Sequence, residues 1–119
     1  MIYGLHLLWY SKDPAADRAF LRDVLGWASI EDADSEPGWL IFKTPPAELG
    51  VHPTDGDFVA EIYLMCEDVD ATAAVLAERG VEVGAIADRG WGRVTTFKLP
   101  SGANVGLYQP THPTALDLV

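Results

Sequence analysis

The chain has 119 residues, 49% of them hydrophobic and 22% charged, the balance of one globular domain rather than of a disordered segment. Eighteen acidic residues against eight basic ones give a formal net charge of -10 at pH 7. That charge repels phosphate backbones and anionic headgroups, and so argues against nucleic acid or membrane partners. Cys66 is the one cysteine, which excludes an intrachain disulfide and makes a reducing cytoplasm the expected location.

In chain order, the run Tyr3-Gly-Leu-His-Leu-Leu-Trp-Tyr10 is short, apolar and aromatic-rich, and predicts a buried strand. It has no basic leader and Ser11-Lys12-Asp13 ends it, so neither a signal peptide nor a membrane span is expected. Asp13-Pro14 supplies an N-cap and a proline at the first helical position. Phe20, Leu21, Val24 and Leu25 then recur at helical spacing until Gly26 stops the helix. Strands are predicted at 28–31, 38–43 and 48–52, separated by Asp/Ser/Pro/Gly turns and by Pro45-Pro46.

The pattern then restarts. Residues 58–66 form a second apolar run, and Glu67-Asp68-Val69-Asp70 caps a helix carrying Val69, Ala73, Leu76 and Ala77 that Gly80 ends. Strands follow at 81–86, 92–99 and 104–109, with Pro100-Ser101-Gly102 as a tight turn and a tail without periodicity from Pro110. His6 precedes Asp13 by the same seven residues that separate Glu61 from Asp68. One strand, one helix and three strands, written twice about 55 residues apart, predict an internal duplication. The expected fold is α+β: two tandem βαβββ modules, about 1–54 and 55–110, pairing into a curved mixed sheet with helices on its convex face. Residues 111–119 form an irregular tail, and the whole is a single domain.

Four stretches carry a family resemblance: His6-Leu-Leu-Trp-Tyr-Ser-Lys-Asp13, Phe20-Leu-Arg-Asp-Val-Leu-Gly-Trp27, Glu67-Asp-Val-Asp-Ala-Thr72 and Leu99-Pro-Ser-Gly-Ala-Asn-Val-Gly-Leu-Tyr-Gln-Pro110. In these the chain resembles the vicinal oxygen chelate superfamily of glyoxalases, extradiol dioxygenases and bleomycin-resistance proteins. The resemblance is specific for the scaffold and weak for the reaction, because members differ in chemistry. It implies metal ligands on the first and last strands of each module. His6 falls on the first-strand histidine position, and Glu61 on the matching position of the second module. Gly106 stands where the enzymes carry a glutamate, so a complete four-ligand site is not expected.

Side chains in a strand alternate faces. His6, Leu8 and Tyr10 therefore share one face, as do Glu61, Tyr63 and Met65 on the matching strand, and Ile62, Leu64 and Cys66 the other. A carboxylate under a helix without a partner costs several kcal/mol, so the face holding the ionisable residues is expected to turn away from the helices, into a hollow on the concave side of the sheet. His6, His52 and Glu61 would there form a two-histidine, one-carboxylate set suited to one divalent metal, Fe, Mn, Ni or Zn. Glu61 is also a candidate general base, with Tyr63 or Tyr108 as proton donor. Tyr10, Trp39, Met65, Trp91, Arg93 and Phe97 are candidate pocket-lining residues, while His112, between prolines in the tail, has no assigned role. No phosphate-cradling glycine loop or CxxC motif is present, and no nucleotide cofactor is expected.

Two functions stay open at this point. The first is a metal-dependent lyase, isomerase or dioxygenase acting on a small oxygenated molecule, favoured by the convergence of His6, His52 and Glu61. The other is a metal-free, drug-binding sequestration protein of the bleomycin-resistance type, favoured by Gly106 and the acidic surface. An interaction module without activity is a third. In two-module relatives the pocket often lies between chains, and a homodimer is expected.

Overall fold

The computed structural model describes residues 1, 3, 5–32 and 38–118. Gly4 of the first predicted strand, residues 33–37 of the turn before Gly38, and Val119 of the tail lie outside the described residues. The element order is α1 (Pro14–Asp23), β1 (Ser29–Glu31), β2 (Leu40–Phe42), β3 (Tyr63–Met65), α2 (Val69–Glu78), β4 (Ala87–Arg89), β5 (Gly92–Lys98) and β6 (Asn104–Pro110). This is an α+β fold with two helices and a mixture of parallel and antiparallel strands.

Both helices begin as the capping residues dictate. The Asp13 carboxylate accepts the Ala16 N–H at 3.2 Å with Pro14 as the first helical residue, and Asp68 accepts the Ala71 N–H at 3.1 Å. Each helix is followed by a glycine at positive φ, Gly26 at 73° and Gly80 at 81°, a backbone shape that a side chain resists.

The larger sheet has strand order β3-β6-β5-β4. β3 runs parallel to β6, and the other pairs are antiparallel. Its helix-packed face carries Leu64, Phe97, Val105 and Leu107, which meet Phe20 and Leu21 of α1 and Val69 and Leu76 of α2 in one core. Phe97, 1% exposed, stacks on Phe20 with ring centroids 6.0 Å apart. Ile62 and Cys66 pack against the same core, as the alternation along 61–66 predicts.

Asp17, on α1, joins the two ends of the fold. Its buried carboxylate accepts the Ser11 hydroxyl at 2.7 Å, the Ser101 hydroxyl at 2.8 Å and the Ser101 N–H at 3.0 Å. These bonds pin the end of the first segment and the β5–β6 turn to one side chain. Asp17→Ala leaves three donors without their acceptor in a part-buried site, and is expected to cost about 2–4 kcal/mol. The shift of the urea midpoint measures it, and a loss below about 0.5 kcal/mol would show that solvent replaces the carboxylate.

Several predicted strands are shorter or differently placed. β1 and β2 form a separate two-stranded ladder with Ile30 opposite Ile41. Residues 5–10, from the strand predicted at 3–10, and residues 48–52, also predicted as a strand, belong to no ladder. Residues 81–86 contribute only the Val83–Phe97 bridge. The strand there is instead 87–89, because the two-residue turn at Gly90-Trp91 folds it directly back onto β5, with Arg89 opposite Gly92. The tail does not trail free. Thr111 N–H donates to Trp91 O at 3.0 Å and Ala115 N–H to the Glu48 carboxylate at 2.7 Å. Among the described residues no helix is long and apolar enough to cross a membrane.

Candidate functional site

On the face of the larger sheet away from the helices, two glycines let aromatic rings lie flat on the backbone. A Cβ at Gly106 would sit 2.6 Å from Tyr63 Cε1 and 2.8 Å from its Cγ, and a Cβ at Gly92 would sit 2.8 Å from the backbone Gln109 O and 2.9 Å from Tyr108 Cδ2. Neither position has room for a side chain while these rings are in place. Tyr63, Trp91 and Tyr108 then meet edge to face, with centroids 5.3 to 5.8 Å apart. Quadrupoles favour this arrangement over a face-to-face stack. Tyr63 and Trp91 remain 40% and 42% exposed, so the wall is open to a ligand.

Polar groups stand at the edges of this wall. The Tyr63 hydroxyl donates to the Glu61 carboxylate at 3.1 Å. Burial, with the Glu61 carboxylate beside it, holds the Tyr63 phenol above its ordinary pKa. Burial and the charge of Glu48 do the same to Tyr108. Both therefore remain neutral hydroxyls at physiological pH. The Tyr108 hydroxyl lies 3.0 Å from His112 Nε2, and the two rings stack at 5.9 Å. His112 Nδ1 is 2.7 Å from Pro113 O, and its Nε2 stands 3.9 Å from Glu48. His112 thus belongs to the wall. The tail has no periodicity from which this could be read, and the pairing comes from the chain turning back beyond Pro110.

Beside the wall lies a groove of about 430 Å³ whose lining includes Trp9, Tyr10, Ser11, Glu61, Tyr63 and Gly106. A second hollow of about 500 Å³ lies between Met65, Gln109 and the tail residues His112 and Leu116.

Of the residues singled out in the sequence, Glu61, Tyr63, Tyr108 and Trp91 come together at the wall, Tyr10 borders the groove, and Met65 borders the second hollow. Three pocket candidates lie elsewhere. Phe97 is opposite Val105 in the β5–β6 register, and so points into the core. Arg93, opposite Gln109, pairs with Asp70 of α2 and with Asp88 at 2.9 Å. Trp39 lies under the Arg18 guanidinium, 5.1 Å from it, against α1. Burial pushes the Cys66 thiol up, and its Sγ faces Tyr108 O at 3.5 Å, so it is no nucleophile.

The proposed metal ligands are not gathered within one chain. His6 and His52 are exposed, and His52 Nδ1 contacts Pro53 O at 2.8 Å. The Glu61 carboxylate is engaged by Tyr63, and the Tyr63 ring fills the place of a ligand at position 106. Among the described residues no three His, Cys, Asp or Glu side chains are close enough to share an ion, and no buried side-chain N or O lacks a partner. Within a single chain these residues do not fit a chelated metal.

Solved structures share this architecture. TnmS3, an antibiotic binding protein from Streptomyces sp. CB03234, is 29% identical with a TM-score of 0.64, over 93% of this chain and 99% of its own. A glyoxalase/bleomycin resistance protein from the same organism is also 29% identical, TM-score 0.57, over 83% and 93%. A lactoylglutathione lyase from Agrobacterium tumefaciens matches at 16% identity with a TM-score of 0.62, over 90% and 92%, a likeness of fold alone. No curated protein sequence matches this chain. The family model of the Glyoxalase/Bleomycin resistance protein/Dioxygenase superfamily matches residues 5–107, and the chain belongs to that superfamily.

Proposed function

We propose that this protein, as a cytoplasmic homodimer, binds and sequesters a planar aromatic small molecule on the Tyr63–Trp91–Tyr108 wall, without metal chemistry. One observation carries this reading. The position at which the metal-dependent enzymes place a glutamate is a glycine covered by the Tyr63 ring, so an aromatic surface stands where a ligand would be. Stacking on such a surface needs only a flat partner, and Glu61 at its edge with the net charge of -10 favours a cation. The antibiotic-binding activity named for TnmS3 supports the same direction.

Titrating the protein with proflavine, a planar cation, and with anthraquinone-2-sulfonate, a planar anion, tests the reading through tryptophan fluorescence. Saturable quenching by proflavine, with the anion weaker, is expected, and Trp91→Ala should weaken proflavine about tenfold. An unsaturable response to both probes would refute it.

A metal-dependent lyase, isomerase or dioxygenase is the second reading, with Glu61 as general base and Tyr63 or Tyr108 as proton donor. His6 and His52 both lie on segments left open in the single chain, so a second copy would have to draw them toward Glu61. Stoichiometric Fe, Mn, Ni or Zn in protein purified without a His-tag, lost in His6→Ala, would establish it over sequestration.

A further inference from the structure

The three rings of the wall are not equally open. Tyr63 and Trp91 are 40% and 42% exposed, but Tyr108, which touches both, is only 7% exposed. Part of its cover comes from the tail. The His112 imidazole stacks on the Tyr108 ring with the two planes 22° apart, and the stretch beyond it is tied back to the Glu48 carboxylate by the Ala115 N–H at 2.7 Å.

The chemistry of this contact is that of a bound ligand. A carbonyl only accepts, so the 2.7 Å contact with Pro113 O puts a proton on His112 Nδ1. In the neutral ring Nε2 is then an acceptor, and it receives the Tyr108 O–H at 3.0 Å. The Glu48 carboxylate stands 3.9 Å from the same nitrogen, and close enough to Tyr108 for its charge to act on the phenol. A ring to stack on, a hydroxyl aimed at a ring nitrogen and a carboxylate beside both suit a planar nitrogen heterocycle. A positive charge on that heterocycle would add attraction to the tyrosine face and to Glu48.

The tail is also held in a way that lets it leave. Its near end is fixed, with the Thr111 N–H on Trp91 O at 3.0 Å and the Thr111 hydroxyl on Gly90 O at 3.3 Å. Beyond that point residues 113–118 are exposed and belong to no helix or strand. A hollow of about 500 Å³ lies between Met65 and the tail residues His112, Thr114 and Leu116, so this stretch is not packed tightly on the sheet. A segment with so few apolar contacts lifts at a small fraction of the cost of global unfolding.

We propose, on the reading that the wall is the ligand site, that Tyr108 and Glu48 form a further subsite of it for a nitrogen heterocycle, and that His112 covers this subsite as a built-in competitor which the ligand displaces. The affinity of the intact chain is then the intrinsic affinity reduced by the fraction of molecules whose tail is lifted.

Proflavine titrations of the wild type, His112→Ala and His112→Ala/Glu48→Gln test this, together with nuclear Overhauser contacts between the His112 and Tyr108 rings of the wild type. His112→Ala is expected to bind about tenfold more tightly than the wild type, the gain for a tail lifted in about one molecule in ten. Glu48→Gln in that background should remove most of the gain, since the amide still accepts the Ala115 N–H but carries no charge. The contacts between the two rings should be present in the free wild type and vanish as proflavine saturates it. Should His112→Ala fail to fold, those contacts still decide. Contacts that persist at saturation, or are missing from the free protein, overturn the proposal, as does a folded His112→Ala that binds no tighter than the wild type. Saturable binding with any of those results leaves the wall as the ligand site. Binding by His112→Ala alone supports the competitor, and no saturable binding by any of the three proteins overturns both readings.

Discussion

Glutamate in place of Gly106 is expected to destabilise the protein by about 3–6 kcal/mol, and not to create a metal site. Two costs add. The new side chain must displace the Tyr63 ring, whose atoms lie within 2.8 Å of the position of a Cβ, and overpacking of that kind costs about 1–3 kcal/mol. Position 106 is also buried, and a carboxylate without a partner there costs a few kcal/mol more. Against a total stability of roughly 6–18 kcal/mol for a chain of this length, such a loss is large. Urea unfolding measures it. The pair Tyr63→Ala/Gly106→Glu should be more stable than Gly106→Glu alone, because the first substitution vacates the space that the second needs. If Gly106→Glu unfolds at the wild-type midpoint, the Tyr63 ring does not cover this position in solution and is not what demands glycine there.

Removing the Phe97 side chain is the other severe change. Phe97→Ala is expected to cost about 3–5 kcal/mol, the transfer free energy of the ring plus that of the cavity it leaves. The ring is 1% exposed, stacks on Phe20, and lies where α1 meets the larger sheet. Phe20→Ala should cost less than Phe97→Ala, since Phe20 sits on a helix that can shift inward to fill the space. The double variant should fall short of the sum of the two. A loss under 1 kcal/mol for Phe97→Ala would place the core elsewhere.

Phe97 also marks where the sequence stops being informative. Along 61–66 the two parities differ in character, with Glu61 and Tyr63 against Ile62 and Leu64, so alternation alone separates pocket side from core side. Along β5 they do not. Val94 and Thr96 on one parity and Thr95 and Phe97 on the other are equally mixed, and the deciding fact, Phe97 opposite Val105, is a pairing between strands that no single strand records. Arg93 was hidden for the same reason. The helices were legible to within a few residues because Asp13-Pro14, Asp68, Gly26 and Gly80 act locally. The apolar character of residues 3–10 and 48–52 signals burial but does not name what buries them, so those strands were expected inside the chain, yet Leu5, Leu7, Leu8, Leu49 and Val51 are found exposed. Gly106 was legible as the loss of a ligand. That a tyrosine from a strand over forty residues away covers it was not.

The backing of the wall bears on how a ligand would be accommodated. Gln109, the neighbour of Tyr108 on β6, turns to the other face and accepts the Val69 N–H at 3.1 Å, while Arg93 of β5 holds Asp70 one residue further on. The first turn of α2 is thereby fastened to both central strands, and the sheet beneath the rings cannot tilt without breaking those bonds. Trp9 and Tyr10, which also line the groove, are held in turn, Trp9 by packing on the core and the residue after them, Ser11, by its bond to Asp17. A surface fastened in this way meets a bound molecule without itself first rearranging, so little ordering entropy is lost on contact.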